Sequence, residues 1–162
     1  MTLLPLIAAA TGTHGVGGSA FGAAAWPSSN RIFYVPVRLQ EAFTVKRVFW
    51  TNGGTVSGSV NLGLYDVSGS KLWETGSTAQ TGTNQTQFVN IADQAHARGV
   101  YYIAIQHSNT TGQYGRTNPG IYVLALQGML QESPGSFALP ATATFAAIAT
   151  DFLPMCGLDL RG

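Results

Sequence analysis

The sequence predicts an all-β fold, an antiparallel β-sandwich or jelly roll with extended N- and C-terminal arms. Between residues 31 and 130, short segments alternate apolar and polar side chains, as half-buried strands do. Gly and Asn clusters separate these segments, and none of them shows a helical period longer than two turns. We therefore divide the chain into an assembly arm (1–30), a β-sandwich body (31–130) and a C-terminal docking segment (131–162).

The predicted strands cover residues 32–39, 45–50, 59–65, 71–74, 87–91, 100–106 and 121–126. In the first strand, alternation places Phe33, Val35 and Val37 on one face, and Pro36 indicates an edge or a bulge because proline cannot donate to a ladder. The second strand ends at Asn52-Gly53, which supplies the positive φ that a tight turn requires.

The later strands are predicted from the same two signals, alternation of apolar and polar residues and the turn residues between them. Residues 59–65 alternate cleanly, and a turn at 66–70 returns the chain into 71–74 as a hairpin. Residues 76–85 are too polar for a core strand and are predicted to form a loop or an exposed edge, and 93–99 a short turn. Residues 112–118 are predicted to be a hairpin tip, and the apolar run 121–126 closes the series. Helix content should be very low.

Two segments, 1–30 and 133–150, contain no Lys, Arg, Asp or Glu and are rich in small residues. Ordering thirty residues costs on the order of 45 kcal/mol at about 1.5 kcal/mol each. At about 25 cal/mol/Å² this needs roughly 1,800 Å² of apolar burial, the size of a protein–protein interface. We therefore expect the ends to contact neighbouring subunits of an assembly, and we expect the chain to form a homo-oligomer, of which a trimer is one arrangement. The expected assembly contacts are Leu4, Ile7, Phe21, Trp26, Phe145, Ile148 and Phe152.

A short strand within residues 142–148 could complete a sheet in its own chain or in a neighbour. We predict the intermolecular pairing.

Composition excludes several classes of protein. Charged residues make up 9% of the chain and the formal net charge is +1, so no basic field for nucleic acid exists. No apolar run reaches the roughly 18 residues of a membrane span, and residues 1–10 lack the positive start of a signal peptide. The single cysteine, Cys156, cannot form an internal disulfide and is expected to be buried and inert.

Four runs resemble a family of short proteins encoded by tailed bacteriophages: YVPVRL (34–39), TNGGTVSGSVNLGLYD (51–66), GSTAQTGT (76–83) and GVYYIA (99–104). Members of that family are virion structural proteins attached to the capsid or tail. The resemblance implies a surface decoration or cement-type subunit, located in the virion, that binds neighbouring coat subunits. A tail or baseplate subunit is the alternative.

Catalytic and metal-binding patterns are absent from the sequence. His14, His96 and His107 have no second ligand at metal-site spacing. The glycine-rich run 12–18 lacks the Lys-Ser/Thr of a phosphate loop, and no Gly-x-Ser-x-Gly elbow occurs. We therefore expect neither an enzyme nor a cofactor.

A carbohydrate-binding, host-adsorption module is the competing hypothesis, because β-sandwiches can present aromatic platforms to sugars. Trp73 lies in the predicted hairpin strand beside charged residues, and Tyr114 and Arg116 lie in the polar loop 112–118. These three side chains are the predicted contacts to a host surface glycan or receptor. The alternative is that the aromatic rings belong to the core or to subunit interfaces.

Overall fold

The computed structural model describes residues 22–160, apart from the side chain of Leu160. It is mostly β, with 54% strand and 4% helix, and its sheets are antiparallel, so the predicted fold class is confirmed at that level. The predicted contacts Leu4, Ile7 and Phe21 lie outside the described residues. The elements are β1 (Gly22–Ala25), β2 (Ile32–Leu39), β3 (Phe43–Thr51), β4 (Ser59–Asp66), β5 (Lys71–Glu74), β6 (Thr78–Ala79), β7 (Thr86–His96), β8 (Gly99–His107), β9 (Gln113–Thr117), α1 (Ile121–Leu126), β10 (Leu130–Glu132), β11 (Ala146–Ala147), β12 (Leu153–Pro154) and β13 (Cys156–Leu160).

The strands form three sheets. The largest has the order β11-β10-β2-β8-β4-β5, with β6 also paired to β4. The two smaller sheets have the orders β1-β9-β12 and β13-β3-β7. The two smaller sheets are joined by an isolated β-bridge between Asn52 and Tyr114 and by a hydrogen bond from the Thr51 N–H to the Met155 carbonyl at 2.9 Å.

One main core joins all three sheets. Alternation along β2 directs Phe33, Val35 and Val37 into it, where they meet Val48 of β3 and Leu158 of β13. Pro36 lies beyond the end of β10, which pairs only with residues 32–34, so β2 has the single neighbour β8 at that point. The proline therefore occupies a local edge, as its missing N–H requires.

The C-terminal segment is part of this chain's own fold. A second cluster on the other face of the large sheet contains Tyr34, Tyr65 and Leu139, with Phe145 packed against it. The Tyr65 hydroxyl donates to the Pro140 carbonyl at 2.6 Å. β11 pairs with β10 of the same chain, so the predicted intermolecular strand is replaced by an intramolecular one. The physical reason is that the outer face of β2 is apolar, and the C-terminal segment of the same chain buries it with Leu139 and Phe145.

Three further expected assembly contacts are core residues. Trp26 is 1% exposed and its ring contacts Phe33, Tyr114 and Phe152. Phe152 and Ile148 are also buried. Within the described residues, neither 22–30 nor 131–160 is a separate arm, because both contribute strands and core side chains to the body. These side chains have no surface left to offer a neighbouring subunit.

Two local predictions are wrong. Residues 121–126 form the helix α1, not a strand, and Gly120 and Gly128 flank it with φ values of 96° and 79°. Residues 113–117 form strand β9, not a loop tip, because they pair with β1 on one side and β12 on the other. In addition, β7 continues beyond the predicted 87–91 to His96.

Candidate functional site

The three predicted glycan contacts do not form one site. Tyr114 is fully buried, with its ring against Trp26 and His107, so it cannot stack on a sugar. Arg116 is half-buried on β9, and its guanidinium lies 5.6 Å from the centre of the Phe152 ring. Trp73 is on β5, in a different sheet. The polar loop that suggested the Tyr114 and Arg116 sites is a central strand, which turns Tyr114 inward.

Trp73 belongs to a half-buried aromatic cluster with Phe43, His96 and Tyr101. Its indole N–H donates to Nε2 of His96 at 2.9 Å, and the His96 ring also lies 5.6 Å from the rings of Phe43 and Tyr101. Burial lowers the pKa of His96 below its ordinary value. The cluster combines a half-buried aromatic surface with an imidazole whose Nε2 is occupied by the Trp73 indole N–H.

Two titratable side chains, His107 and Cys156, are buried inside the fold. His107 is fully buried with Nδ1 2.7 Å from the Asn109 carbonyl, and desolvation lowers its pKa. Cys156 is buried, as predicted, and burial raises the pKa of its thiol to about 12. Neither group reaches solvent, so neither is available for catalysis on a dissolved substrate.

A buried amide network fixes the polar segment 76–85. The Gln80 side chain accepts from the Ser57 N–H at 2.9 Å and donates to the Asn52 side chain at 3.0 Å and to the Gln113 carbonyl at 2.8 Å. Asn52 in turn donates to the Gly82 carbonyl at 3.1 Å. Since both amides of the pair are already engaged, the network anchors a loop and leaves no site for a ligand.

Among residues 22–160, the most exposed large apolar side chains lie on α1. Tyr122 and Leu126 are each 88% exposed, one turn apart, and Ile121 beside them is 39% exposed. We call these three residues the α1 patch. Leu124 is the buried residue that fixes the helix to the core. Sequence reasoning missed this patch, because a continuous apolar run predicts burial and does not say which residues face outward.

The α1 patch is held in place and carries no charge. The Gly120 N–H donates to the Asp151 carboxylate at 2.9 Å, which ties the N-terminal end of the helix to the body, and the Met129 N–H donates to the Leu124 carbonyl at 3.0 Å, which caps its last turn. No Lys, Arg, Asp or Glu occurs from residue 117 to residue 131. The α1 patch is therefore an uncharged apolar surface on a helix attached to the body.

Residues 22–160 hold neither a cluster of three metal-binding side chains nor a long apolar helix. No group of three His, Cys, Asp or Glu side chains in this range could hold a metal ion. The one helix described there is too short to cross a membrane.

Comparison with protein-family models, with curated proteins and with solved structures found no match to this chain.

Proposed function

We propose that this protein is a non-catalytic structural subunit of a tailed-bacteriophage virion, a surface decoration or cement-type protein that binds neighbouring coat subunits. A position in the tail or baseplate is the alternative location. The observation that carries the proposal is the α1 patch, which projects large apolar side chains from a body whose core is closed. The family resemblance of the sequence supplies the virion context.

The energetics of the α1 patch favour a protein partner. Fully burying a Leu side chain stabilises by about 1.5–3 kcal/mol, and an aromatic ring such as Tyr122 contributes a similar amount. Aromatic side chains that enter a pocket are the usual anchors of protein interfaces. Because the N-terminal end of α1 is hydrogen-bonded to Asp151 and Leu124 is buried beneath the helix, docking it would order few additional groups.

Low charge suits the same role. With 9% charged residues, two closely packed subunits would desolvate few ions, and desolvating an ion without a partner is costly in a buried interface. For the same reason an isolated subunit is prone to self-association.

We also propose how the three sheets are arranged as layers. We assign the three sheets to a two-layer β-sandwich of jelly-roll type, in which the large sheet faces the two smaller sheets together. The support is the main core, which takes side chains from β2, β4 and β8 on one side and from β3, β9 and β13 on the other.

The test is incorporation into particles. Quantitative mass spectrometry of purified particles of the encoding phage should find the chain in multiple copies per particle. Tyr122→Ser with Leu126→Ser should lower the copy number at least about tenfold, as expected from losing two buried apolar side chains. Val67→Ser is the matched control, since Val67 is 63% exposed but lies outside the α1 patch. Absence of the chain from particles, or an unchanged copy number in the double variant, would overturn the proposal.

A glycan-binding module is the second candidate, favoured by the half-buried Trp73 ring within its aromatic cluster. If it is correct, the protein should bind a polysaccharide on a glycan array, and Trp73→Ala should abolish that binding while Tyr122→Ala retains it. Equal binding by both variants would exclude the Trp73 cluster as the sugar site.

A further inference from the structure

β7 is the longest strand in the described part of the chain, and it has a neighbour on one side only. It has eleven residues and lies at the end of the order β13-β3-β7. In an antiparallel sheet, successive residues direct their N–H and C=O groups to opposite sides. About half of the residues of β7 therefore present both groups to an open edge.

Residues 86–90 of β7 lack the features that usually prevent strands from pairing between molecules, because the register shift with β3 lies beyond them, between Asn90 and Gln94. Such features are short length, proline, charge and bulges. The other terminal strands of the three sheets have between two and five residues. By contrast, residues 86–92 of β7 form a seven-residue stretch without proline, glycine or charge. The first charged residue is Asp93, where the register with β3 shifts.

Both faces of β7 have apolar surface at this edge. On one face the Phe88 side chain is 49% exposed. The centre of its ring lies 5.7 Å from the centre of the Phe49 ring and 4.2 Å from the guanidinium carbon of Arg47. On the other face Val89 and Ile91 are only half-buried, although they pack against the main core. An added strand would thus cover apolar side chains on both faces while it completed the hydrogen-bond ladder.

We propose that β7 pairs antiparallel with β7 of a second copy of this chain, so that two β13-β3-β7 sheets become one continuous sheet across a two-fold axis. We assign the partner as a second copy because residues 86–92 can pair with themselves without opposing like charges. With the axis at Val89, Phe88 lies opposite Asn90 of the partner, Gln87 opposite Ile91, and Val89 opposite itself. No charged side chain faces a like charge in this arrangement, and the formal net charge of +1 adds little long-range repulsion. The contact is separate from the α1 patch and does not depend on a virion role.

A charge-reversal pair tests the interface. The wild-type chain should sediment as a concentration-dependent species of twice 17.0 kDa. One variant carries Phe88→Lys with Asn90→Lys, and the other carries Phe88→Glu with Asn90→Glu. In each homodimer two pairs of like charges face each other across the axis, which should weaken the dimer by about tenfold or more. An equimolar mixture should recover the dimer, because each introduced lysine then faces an introduced glutamate.

The matched control is Val67→Lys with Val100→Lys, which adds the same charge at exposed positions away from β7 and should leave the wild-type dimer intact. Circular dichroism and the melting temperature verify that each variant folds, since Arg47 lies beside position 88. A monomeric wild type, or a dimer unaffected by the paired lysines, would overturn the proposal. A dimer lost in both variants but not recovered on mixing would also overturn it, because a different partner segment carries no matching charge.

A cross-link gives a second measurement that tolerates a modest loss of stability. Only a residue on the two-fold axis faces its own copy, and directly opposed residues lie about 4.5–5.5 Å apart between Cα atoms, within disulfide range. Val89→Cys should therefore oxidise to a covalent dimer much faster than the exposed control Val100→Cys. Equal rates for the two variants would exclude an axis at Val89.

Discussion

The indole N–H of Trp73 donates its hydrogen bond to Nε2 of His96 at 2.9 Å, which joins β5 of the large sheet to the end of β7 in another sheet. Nε2 can accept this bond only while it carries no proton, so the contact selects the neutral imidazole. Burial acts in the same direction and lowers the pKa of His96. Stability and pH are therefore linked at this contact.

We expect the protein to lose stability as the pH falls below about 6.5, the ordinary pKa of histidine. A histidine whose folded-state pKa is lowered contributes stability above its unfolded pKa, and this contribution is lost as the pH falls through the folded-state pKa. Burial also lowers the pKa of His107, so the stability that His107 contributes is likewise lost as the pH falls. Melting temperatures from about pH 7.5 to about pH 5 should decrease, and His96→Gln, whose amide oxygen can still accept from Trp73, should flatten part of the slope. A melting temperature that rises on acidification would contradict this.

Trp26→Ala should destabilise the fold by about 3–5 kcal/mol, because the ring is fully buried among Phe33, Tyr114 and Phe152. Urea unfolding monitored by circular dichroism measures the loss. Tyr122→Ala is the control, since that ring is 88% exposed and its removal should change stability by less than about 0.5 kcal/mol. Similar effects of the two variants would argue that Trp26 is not a core residue.

Arg47→Met should destabilise the fold by about 1.5–3 kcal/mol, since it removes a charge-assisted hydrogen bond and ion pair to the buried carboxylate of Asp159. Nε and Nη2 of Arg47 contact the same Asp159 oxygen at 2.7 and 2.5 Å, and the Asp159 side chain is 3% exposed. The control is Lys46→Met on the neighbouring residue. Its pair with Asp93 spans 3.7 Å between exposed side chains and should be worth less than about 1 kcal/mol. Equal losses in urea unfolding would show that burial of Asp159 does not matter.

Cys156 should resist thiol reagents in the folded protein and react fully once the chain is unfolded. The thiol is buried and its pKa is raised to about 12, so almost no thiolate exists at about pH 8. A chromogenic disulfide reagent, with and without urea, measures both states. Rapid modification of the native protein would mean that the region of β13 around Cys156 opens readily.

Local sequence determined the strands that alternate. The alternation in β2 and β4 predicted which side chains face the main core, because side chains along a strand alternate with a period of two. The turn at residues 66–70 was predicted as well, and the Asp66 carboxylate accepts there from the Ser68 and Ser70 N–H groups at 2.9 and 3.0 Å.

Apolar runs without alternation could not be assigned from the sequence. Residues 121–126 are as compatible with a buried strand as with a helix, and the positive φ of Gly120 and Gly128 is realised only in the folded chain. The same limit hid the α1 patch, since exposure of Tyr122 and Leu126 depends on what packs beneath the helix.

The sequence by itself determined an antiparallel, charge-poor β protein with one lone, buried cysteine. Only the tertiary structure decided where residues 22–30 and 131–160 pack. Trp26, Ile148 and Phe152 are apolar whichever molecule they contact, and their sequence could not distinguish a neighbouring subunit from the chain's own core. The physical reason is that hydrophobic burial is non-directional: it requires that such side chains leave water, while the geometry of the sheets selects the surface that covers them.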